Sequence, residues 1–305
     1  MNEQLPETRK HKMLARRVTF LRDALVPERP LRIADVGANP INVPDYDGLL
    51  TLGGCEVWGF EPEESAYEAL IQDQRPGTHY LQKAIGRTGK GMFHAHPQSG
   101  LGSTYPIRKE SVAFLGKPGW HKPHLEGVEI DLVALDDISN DEMPKPDVLK
   151  IDIQGGELDV ISTGRDKLSQ AVCVVPEVRF YRMYEGEPLW GPLDVELHDQ
   201  GFVLHKLVFA KATVIGNTQR SRMKAKVFRN QLMDGDAIYI RDPETIHDWS
   251  SEQIKQLAMV SGTVFDSFDL TVFCLDALVD RGELEPSVPE KFLDQLPPWM
   301  LGAEG

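Results

Sequence analysis

The sequence predicts a doubly wound, mostly parallel α/β sheet with a lid insertion and a helical C-terminal appendage. Two observations support this prediction. From residue 31 onward, short and almost wholly apolar runs alternate with segments of helical pattern, which is typical of parallel strands covered by helices on both faces. The stretch 87–135 interrupts that rhythm, is rich in glycine and holds four histidines. We expect it to lie over the sheet as an insertion.

The predicted elements follow one another along the chain. Residues 7–25 are predicted to form an amphipathic helix, because apolar residues recur there at helical spacing. These residues are Leu14, Val18, Leu21 and Leu25. Strands are expected at residues 31–36, 55–60, 80–85, 147–152, 171–175, 202–208 and 237–240. Helices are expected between them at 65–72 and 157–163.

Beyond residue 242 the chain is predicted to be helical. Ser250 and Gln253 have the spacing of a capping box, which indicates a helix start. The next helix carries an apolar stripe that either docks on the sheet or forms the seam of a homodimer. The stripe consists of Phe265, Phe268, Val272, Leu275 and Val279. The expected organisation is an N-terminal helix in 1–30, a sheet domain in 31–242 with the insertion 87–135, and the appendage in 243–305.

The composition is that of a globular protein. Of 305 residues, 41% are apolar and 26% are charged, which is enough for a sizeable core. No apolar run is long enough to cross a bilayer, and the N-terminus has no leader pattern. The three cysteines are far apart, which fits a reducing compartment. We therefore expect a cytoplasmic protein without a membrane partner.

The charge is unevenly distributed. A net charge of −14 argues against a nucleic-acid partner. Residues 211–230 are the exception, because they carry six bases and no acid. This stretch is either a solvated loop or a surface that holds a phosphate or an anionic sugar, and the sequence leaves both interpretations open.

The ends of the first two strands indicate a nucleoside-containing ligand. Ligands of open parallel sheets bind beyond the carboxyl ends of the strands. Gly37 allows close backbone approach, Asp35 suits an ammonium group, and Glu61 can accept the two hydroxyls of a ribose. The second and third glycines of the dinucleotide fingerprint are absent. S-adenosylmethionine therefore fits better than a nicotinamide cofactor.

Five short blocks occur in an order that resembles the FkbM family of S-adenosylmethionine-dependent methyltransferases. They span residues 35–39, 59–62, 84–86, 135–137 and 149–157. The most specific is the run Lys-Ile-Asp-Ile-Gln-Gly-Gly-Glu, which ends the last block. One departure is Ile41 after Pro40, where many family members have a glycine. The resemblance extends over residues 31–205 and implies a Rossmann-like methyltransferase sheet.

The resemblance also implies roles for individual residues. The loop after the first strand would contact the methionine part of the cofactor, Glu61 would hold the ribose, and Asp152 would face the methyl group and the acceptor. Lys83 and Ala84, at the end of the third strand, would lie by the adenine. The expected cofactor-binding residues are Asp35, Gly37, Ala38, Asn39, Glu61, Pro62, Lys83, Ala84 and Asp152.

Methyl transfer needs an aligned acceptor and a group that takes its proton. Asp152 is the expected base or orienting group; alternatively, it only caps the next helix. Lys150, on the same strand face, either holds Asp152 ionised or forms a structural pair. Glu177, just beyond the fifth strand, is the third catalytic candidate. With Asp152 it could hold Mg²⁺, a possible cofactor that the sequence does not lead us to expect, and no metal ligand is assigned.

The insertion offers a rival base. One of its histidines could take the proton of the acceptor. The alternative is that all of them are solvent-facing loop residues. They are His94, His96, His121 and His124.

The sequence thus predicts a methyltransferase that acts on a hydroxyl of a sugar, a glycan precursor or a secondary metabolite. The alternatives are an RNA methyltransferase, a non-catalytic binding or scaffold protein that kept the fold, and a nicotinamide oxidoreductase. Only the basic stretch 211–230 supports the RNA alternative. The acceptor, the oligomeric state and the pathway are not specified by the sequence.

Overall fold

The computed structural model describes residues 7–98 and 100–302. A seven-stranded sheet has the strand order β3-β2-β1-β7-β8-β10-β9, and a three-stranded sheet has the order β4-β6-β5. The strands are β1 (Leu31–Val36), β2 (Cys55–Phe60), β3 (Thr78–Leu81), β4 (Ala84–Ile85), β5 (Gly89–Phe93), β6 (Val128–Val133), β7 (Val148–Ile151), β8 (Cys173–Arg179), β9 (Phe202–Thr213) and β10 (Gln231–Arg241). In the large sheet, β10 is antiparallel to both of its neighbours and the other pairs are parallel. The predicted mostly parallel α/β fold is confirmed.

Helices cover both faces of the large sheet. The helices of the described residues are α1 (Glu7–Leu25), α2 (Asp47–Thr51), α3 (Glu64–Gln72), α4 (Lys109–Phe114), α5 (Glu157–Ser162), α6 (Trp190–Asp199), α7 (Ala225–Phe228), α8 (Ser251–Thr263), α9 (Phe268–Asp280) and α10 (Val288–Leu293). One core layer joins Ile33 of β1 to α1, α8 and α9. The opposite layer joins Val36 of the same strand to α5 and α6. The sheet is therefore doubly wound.

The order of the strands places a crevice between β1 and β7. The chain runs from β1 outward to β2 and β3 on one side, and later to β7 and β8 on the other. Such a reversal opens a gap at the carboxyl ends of the two central strands, where ligands bind in open α/β sheets. Because side chains alternate along β1, Asp35 shares the face of Ile33 and is only 3% exposed.

Several predicted strand boundaries were wrong. The predicted third strand, 80–85, is two separate strands, because β3 ends at Leu81 and Ala84 pairs with Leu132 in the small sheet. The predicted fifth strand ended too early, since antiparallel pairing with β10 continues β8 to Arg179. Glu177 therefore lies within β8 and not beyond it. The hairpin strands β9 and β10 are likewise longer than their predicted apolar runs.

The insertion forms its own small unit beside the sheet. Strands β5 and β6 pair antiparallel, and β4 joins β6 in parallel. Beyond them, Leu101 and Val112 pack with Met183 and Tyr184, which follow β8. Backbone hydrogen bonds from Arg108 N to Met183 O (2.9 Å) and from Glu185 N to Pro106 O (2.8 Å) hold the two segments together. The insertion thus lies against the segment that leaves β8.

The C-terminal helices pack on the sheet. Ser250 and Gln253 form the predicted capping box of α8. Four residues of the apolar stripe belong to the core layer that contains α1; they are Phe265, Phe268, Val272 and Leu275. A homodimer through these helices stays a prediction. Among the described residues, no helix combines the length and apolarity that a bilayer crossing requires. Residues 1–6 of the expected N-terminal segment lie outside the described residues.

Candidate functional site

Gly37 lets the loop after β1 run against the loop after β7. Its φ is +90°, and a side chain there would place its Cβ 2.2 Å from the carbonyl oxygen of Asp152. The amides of Gly37 and Ala38 both donate to the carbonyl of Phe60 at 3.1 Å, at the end of β2. The first loop is therefore fixed between the ends of β2 and β7, and Ala38 is buried.

Asp35 forms the buried base of the crevice. Its Oδ1 lies 3.2 Å from Lys150 Nζ, and Tyr46 Oη donates to its Oδ2 at 2.5 Å. Burial and the Asp35 charge raise the pKa of Tyr46, so the phenol keeps its proton and stays a donor. Burial lowers the pKa of Lys150, but the carboxylates of Asp35 and Asp152 together raise it above its ordinary value. Lys150 is thus a fixed cation, paired with Asp35.

Glu61 directly follows β2, and its predicted role as the ribose-binding residue stays a prediction. It is partly buried at the end of β2, and its Oε1 accepts from Glu63 N at 2.8 Å. No donor to its Oε2 is found among residues 7–98 and 100–302, so this oxygen can take a ligand hydroxyl. Burial raises the pKa of Glu61 to about 7. Pro62 follows it, partly buried, while Asn39 is exposed and accepts from Ile41 N at 2.7 Å.

Lys83 and Ala84 lie past the end of β3. The amide of Lys83 donates to Leu81 O at 2.9 Å, and its ammonium lies 2.5 Å from Glu142. Ala84 is 8% exposed and belongs to β4. Both residues follow β3 in the chain, on the side of the crevice where β2 and β3 lie. Their contact with adenine stays a prediction.

Gln154 joins the two carboxylates that the sequence expects to converge. Its Nε2 donates to Asp152 Oδ1 at 2.8 Å and to Glu177 Oε2 at 2.9 Å. Its Oε1 accepts from Tyr184 Oη at 3.2 Å. The φ of Gln154 is +61°, a left-handed conformation that is uncommon outside glycine and is held here by these bonds. The sequence analysis did not assign Gln154 a role.

Glu157 fixes the same loop through hydrogen bonds to its backbone amides. It is 6% exposed, and its carboxylate accepts from the amides of Ile153 (3.1 Å) and Gly155 (3.0 Å). Burial raises the pKa of Glu157. The N-cap of α5 is Gly156, and no side-chain cap is formed. The alternative in which Asp152 only caps this helix is therefore wrong, and Asp152 is exposed at the crevice.

Arg179 is the centre of a buried ion cluster on β8. Its guanidinium lies 2.7 Å from Glu177, 3.3 Å from Glu187 and 3.3 Å from Asp234. Burial lowers the pKa of Arg179, but the charges of Glu177 and Glu187 raise it overall. Burial raises the pKa of Glu177 well above its usual range. Glu177 is thus held by Arg179 and Gln154 as a structural group, rather than presented to the crevice.

Asp236 is a further site residue that sequence reasoning missed. It pairs with Glu177 across the β8–β10 ladder. Asp236, Asp152 and Lys150 line one cavity of about 50 Å³, which also contacts Asp45 and Tyr46. Burial and then the Asp152 charge raise the pKa of Asp236 to about 6. A signal did exist, because Asp236 directly precedes the apolar run 237–240 that predicted the strand.

The opposite wall of this cavity is apolar. Val260 and Val264 close it from the end of α8, together with Phe265. The helical appendage therefore contributes directly to the space next to Asp152. Such a wall buries part of Asp236, which accounts for the raised pKa of that carboxyl.

The histidines of the insertion make local contacts. The imidazole of His96 lies 3.0 Å from the carbonyl of Trp120, and that of His121 lies 3.4 Å from the carbonyl of Ile107. His94 pairs through its backbone with Ser103. Among the described residues, no group of three or more His, Cys, Asp or Glu side chains is arranged to hold a metal ion.

Known proteins show one clear likeness to this chain. The methyltransferase FkbM domain matches residues 35–204, which is more than half of the chain. No curated protein sequence matches it.

Solved structures give weaker likenesses. Magnesium protoporphyrin IX methyltransferase from Synechocystis PCC 6803, with bound SAM, is 11% identical at a TM-score of 0.37, covering 79% of this chain and 87% of that one. Precorrin-6y C5,15-methyltransferase from Geobacter metallireducens is 11% identical at a TM-score of 0.36, covering 74% and 87%. Scores this low carry no argument about the chain.

Proposed function

This chain belongs to the FkbM methyltransferase family, and we propose that it transfers a methyl group from S-adenosylmethionine to a hydroxyl of a sugar, a glycan precursor or a secondary metabolite. One observation supports the hydroxyl acceptor best. Asp152, just after β7, and Asp236, within β10, share a small cavity beside the crevice between β1 and β7. A hydroxyl acceptor needs such a carboxylate to take its proton.

The residues of the crevice fit the cofactor. When bound, S-adenosylmethionine supplies a methyl carbon that is activated by a positive sulfur. We propose that Glu61 accepts the ribose hydroxyls, that the loop 37–39 holds the methionine end, and that the backbone at 83–84 lies by the adenine. The second oxygen of Glu61 and the close approach at Gly37 support this assignment.

Asp236 is the proposed base and Asp152 the orienting group. With a pKa of about 6, Asp236 is ionised at neutral pH and still basic enough to take a hydroxyl proton as the oxygen–carbon bond forms. Asp152 lies at the exposed mouth, fixed by Gln154, where it can accept a hydrogen bond from the acceptor. The Lys150 charge opposes the rise in the pKa of Asp236 that burial and Asp152 cause. The cavity is small, so we expect only the reacting hydroxyl group to enter it.

Calorimetric titration with S-adenosylhomocysteine tests the cofactor assignment. We expect the wild type to bind and Glu61→Ala to lose about 1.5–3 kcal/mol, as for hydrogen bonds to a charged group. Glu68→Ala is the matched control, because Glu68 is exposed on α3 and makes no hydrogen bond to Glu61. A folded wild type that fails to bind, or that binds NAD⁺ in preference, would overturn the proposal.

Transfer of labelled methyl groups to a panel of sugars, nucleotide sugars and polyols tests the acceptor class. Parallel reactions with Mg²⁺ and with a chelator test metal dependence, and a reaction with RNA tests the nucleic-acid alternative. Product in which the label sits on nitrogen or carbon would contradict O-methylation. Cofactor binding without transfer to any acceptor would favour the scaffold alternative.

A further inference from the structure

The hairpin β9–β10 ends in a basic segment. We call residues 211–230 the basic tip; it contains the end of β9 and the short helix α7. The segment contains six basic residues and no acidic residue, although the whole chain has a net charge of −14. They are Lys211, Arg220, Arg222, Lys224, Lys226 and Arg229.

The basic tip projects beyond the edge of the sheet that carries the candidate site. Asp236, beside the cavity, pairs with Phe209, and the ladder continues outward from there to Thr213 and Gln231. Parallel strands all end at this edge, so the tip rises above the same end of the sheet as Asp152. The tip and the candidate site therefore face the same side of the molecule.

The basic tip is a fixed structure. Gly216 N donates to Phe114 O at 2.7 Å, which ties the tip to α4. The guanidinium of Arg220 packs against Gly116 and donates to Thr213 Oγ1 at 3.5 Å. These contacts tie the first part of the tip to the rest of the protein, while most of its residues are exposed, as in a solvated loop.

The charge of the tip is almost unneutralised. Within the described part of the chain, Lys211 is the one base of the six that lies within ion-pair distance of an acid, at 3.5 Å from Asp234. Lys224, Lys226 and Arg229 are exposed. The positive charge therefore faces outward.

Apolar side chains stand exposed among these cations. Val227 is 67% exposed and Phe228 48%, both on α7, and Ile215 is 40% exposed. A small soluble anion would need the cations but not this apolar surface. RNA would favour aromatic stacking platforms, of which Phe228 is the single one in the tip, and the net charge of the chain opposes it. An anionic lipid surface uses both features, because basic side chains meet the headgroups while apolar ones enter the interface.

We infer that the basic tip docks on a membrane surface rich in anionic phospholipid, with Val227 and Phe228 entering the interface. Docking in this way turns the candidate site toward the membrane. The sequence-based expectation of no membrane partner rested on the lack of a spanning segment, which surface docking does not need. The inference is independent of the proposed methyl transfer.

Sedimentation of the full chain with vesicles tests the inference. We expect binding to phosphatidylcholine vesicles that contain phosphatidylglycerol, little binding to phosphatidylcholine alone, and weakening by salt. Lys224→Glu/Lys226→Glu should weaken binding at least tenfold, since each base near an anionic surface contributes about fivefold. Val227→Glu should weaken it similarly without changing the charge of any base.

Two controls make the test specific. Lys10→Glu/Lys12→Glu changes two exposed lysines of α1 with the same spacing, and Phe273→Glu changes an exposed aromatic residue of α9. Neither control should alter vesicle binding, and circular dichroism checks that each variant is folded. A folded wild type that ignores anionic vesicles, equal loss in the control variants, or tip-dependent binding to poly(U) RNA in place of vesicles would each overturn the inference. No methyl donor or acceptor is present, so failure here leaves the proposed function intact.

Discussion

Lys150 Nζ lies 3.2 Å from Asp35 Oδ1, and the two residues are register partners on the adjacent parallel strands β7 and β1. The pair ties together the two strands between which the crevice opens. Asp35 is almost fully buried and has Tyr46 as its second partner. A charge in that place is tolerable only while its counter-charge is present.

Lys150→Met should therefore destabilise the protein by about 3 kcal/mol, because it leaves the Asp35 carboxylate buried without a cation. Adding Asp35→Asn should recover most of that loss, since the amide carries no charge. Urea unfolding followed by circular dichroism measures both. Lys90→Met is the control, because Lys90 pairs with Asp131 on an exposed surface and its loss should barely change the stability. If the double variant loses as much free energy of unfolding as the two single variants together, the pairing is contradicted.

Local sequence pattern located the strands at the centre of the sheet. β1 and β2 have the bounds that their apolar runs predict, because strands buried on both faces need continuous apolar sequence. The same reasoning placed Gly37 and Glu61 at strand ends. It wrongly predicted 80–85 as one strand, because Ala84 continues the apolar run although it pairs with a strand of the other sheet.

The carboxylate network could not be predicted in the same way. Asp236 reaches Asp152 only because β10 pairs antiparallel with β8, and that register depends on contacts between segments far apart in the chain. Arg179 likewise gathers Glu177, Glu187 and Asp234 from three segments. Periodicity reports which face a residue occupies, but it does not report which partner stands opposite.

Gly37→Ala should reduce the stability far more than the addition of one methyl group usually does. The added Cβ would clash with the backbone of Asp152, which cannot move as a flexible side chain could, and the φ of +90° is itself unfavourable. We expect a loss of several kcal/mol in stability, or loss of S-adenosylhomocysteine binding in the protein that still folds. Gly53→Ala is the matched control, with φ +67° and open space around it, and should cost about 1 kcal/mol. Thermal unfolding compares the two variants. Equal shifts of the melting temperature would show that the protein relieves the clash at Gly37.

Asp236→Asn should stabilise the protein while removing its transfer activity. The pKa of Asp236 in the folded protein, about 6, lies above the ordinary value of 3.8. Its ionisation therefore costs stability as the pH rises through that interval, and the asparagine avoids the cost. The melting temperature of the variant should exceed that of the wild type above pH 6, and the difference should vanish below pH 4. A variant less stable than the wild type at pH 8 would show that the carboxylate makes a stabilising contact.

The affinity for S-adenosylhomocysteine should fall as the pH is lowered through 7. Only the ionised form of Glu61 can accept two ribose hydroxyls, and burial raises its pKa to about 7 in the free protein. If the ligand binds that form alone, Kd rises about tenfold from pH 8 to pH 6, and binding at pH 6 releases close to one proton. Calorimetry in buffers of different ionisation enthalpy measures both quantities. Glu61→Gln should bind more weakly with a flat pH profile, because its amide neither titrates nor accepts two hydroxyls. If the wild type shows the same flat profile, the ribose lies elsewhere in the crevice.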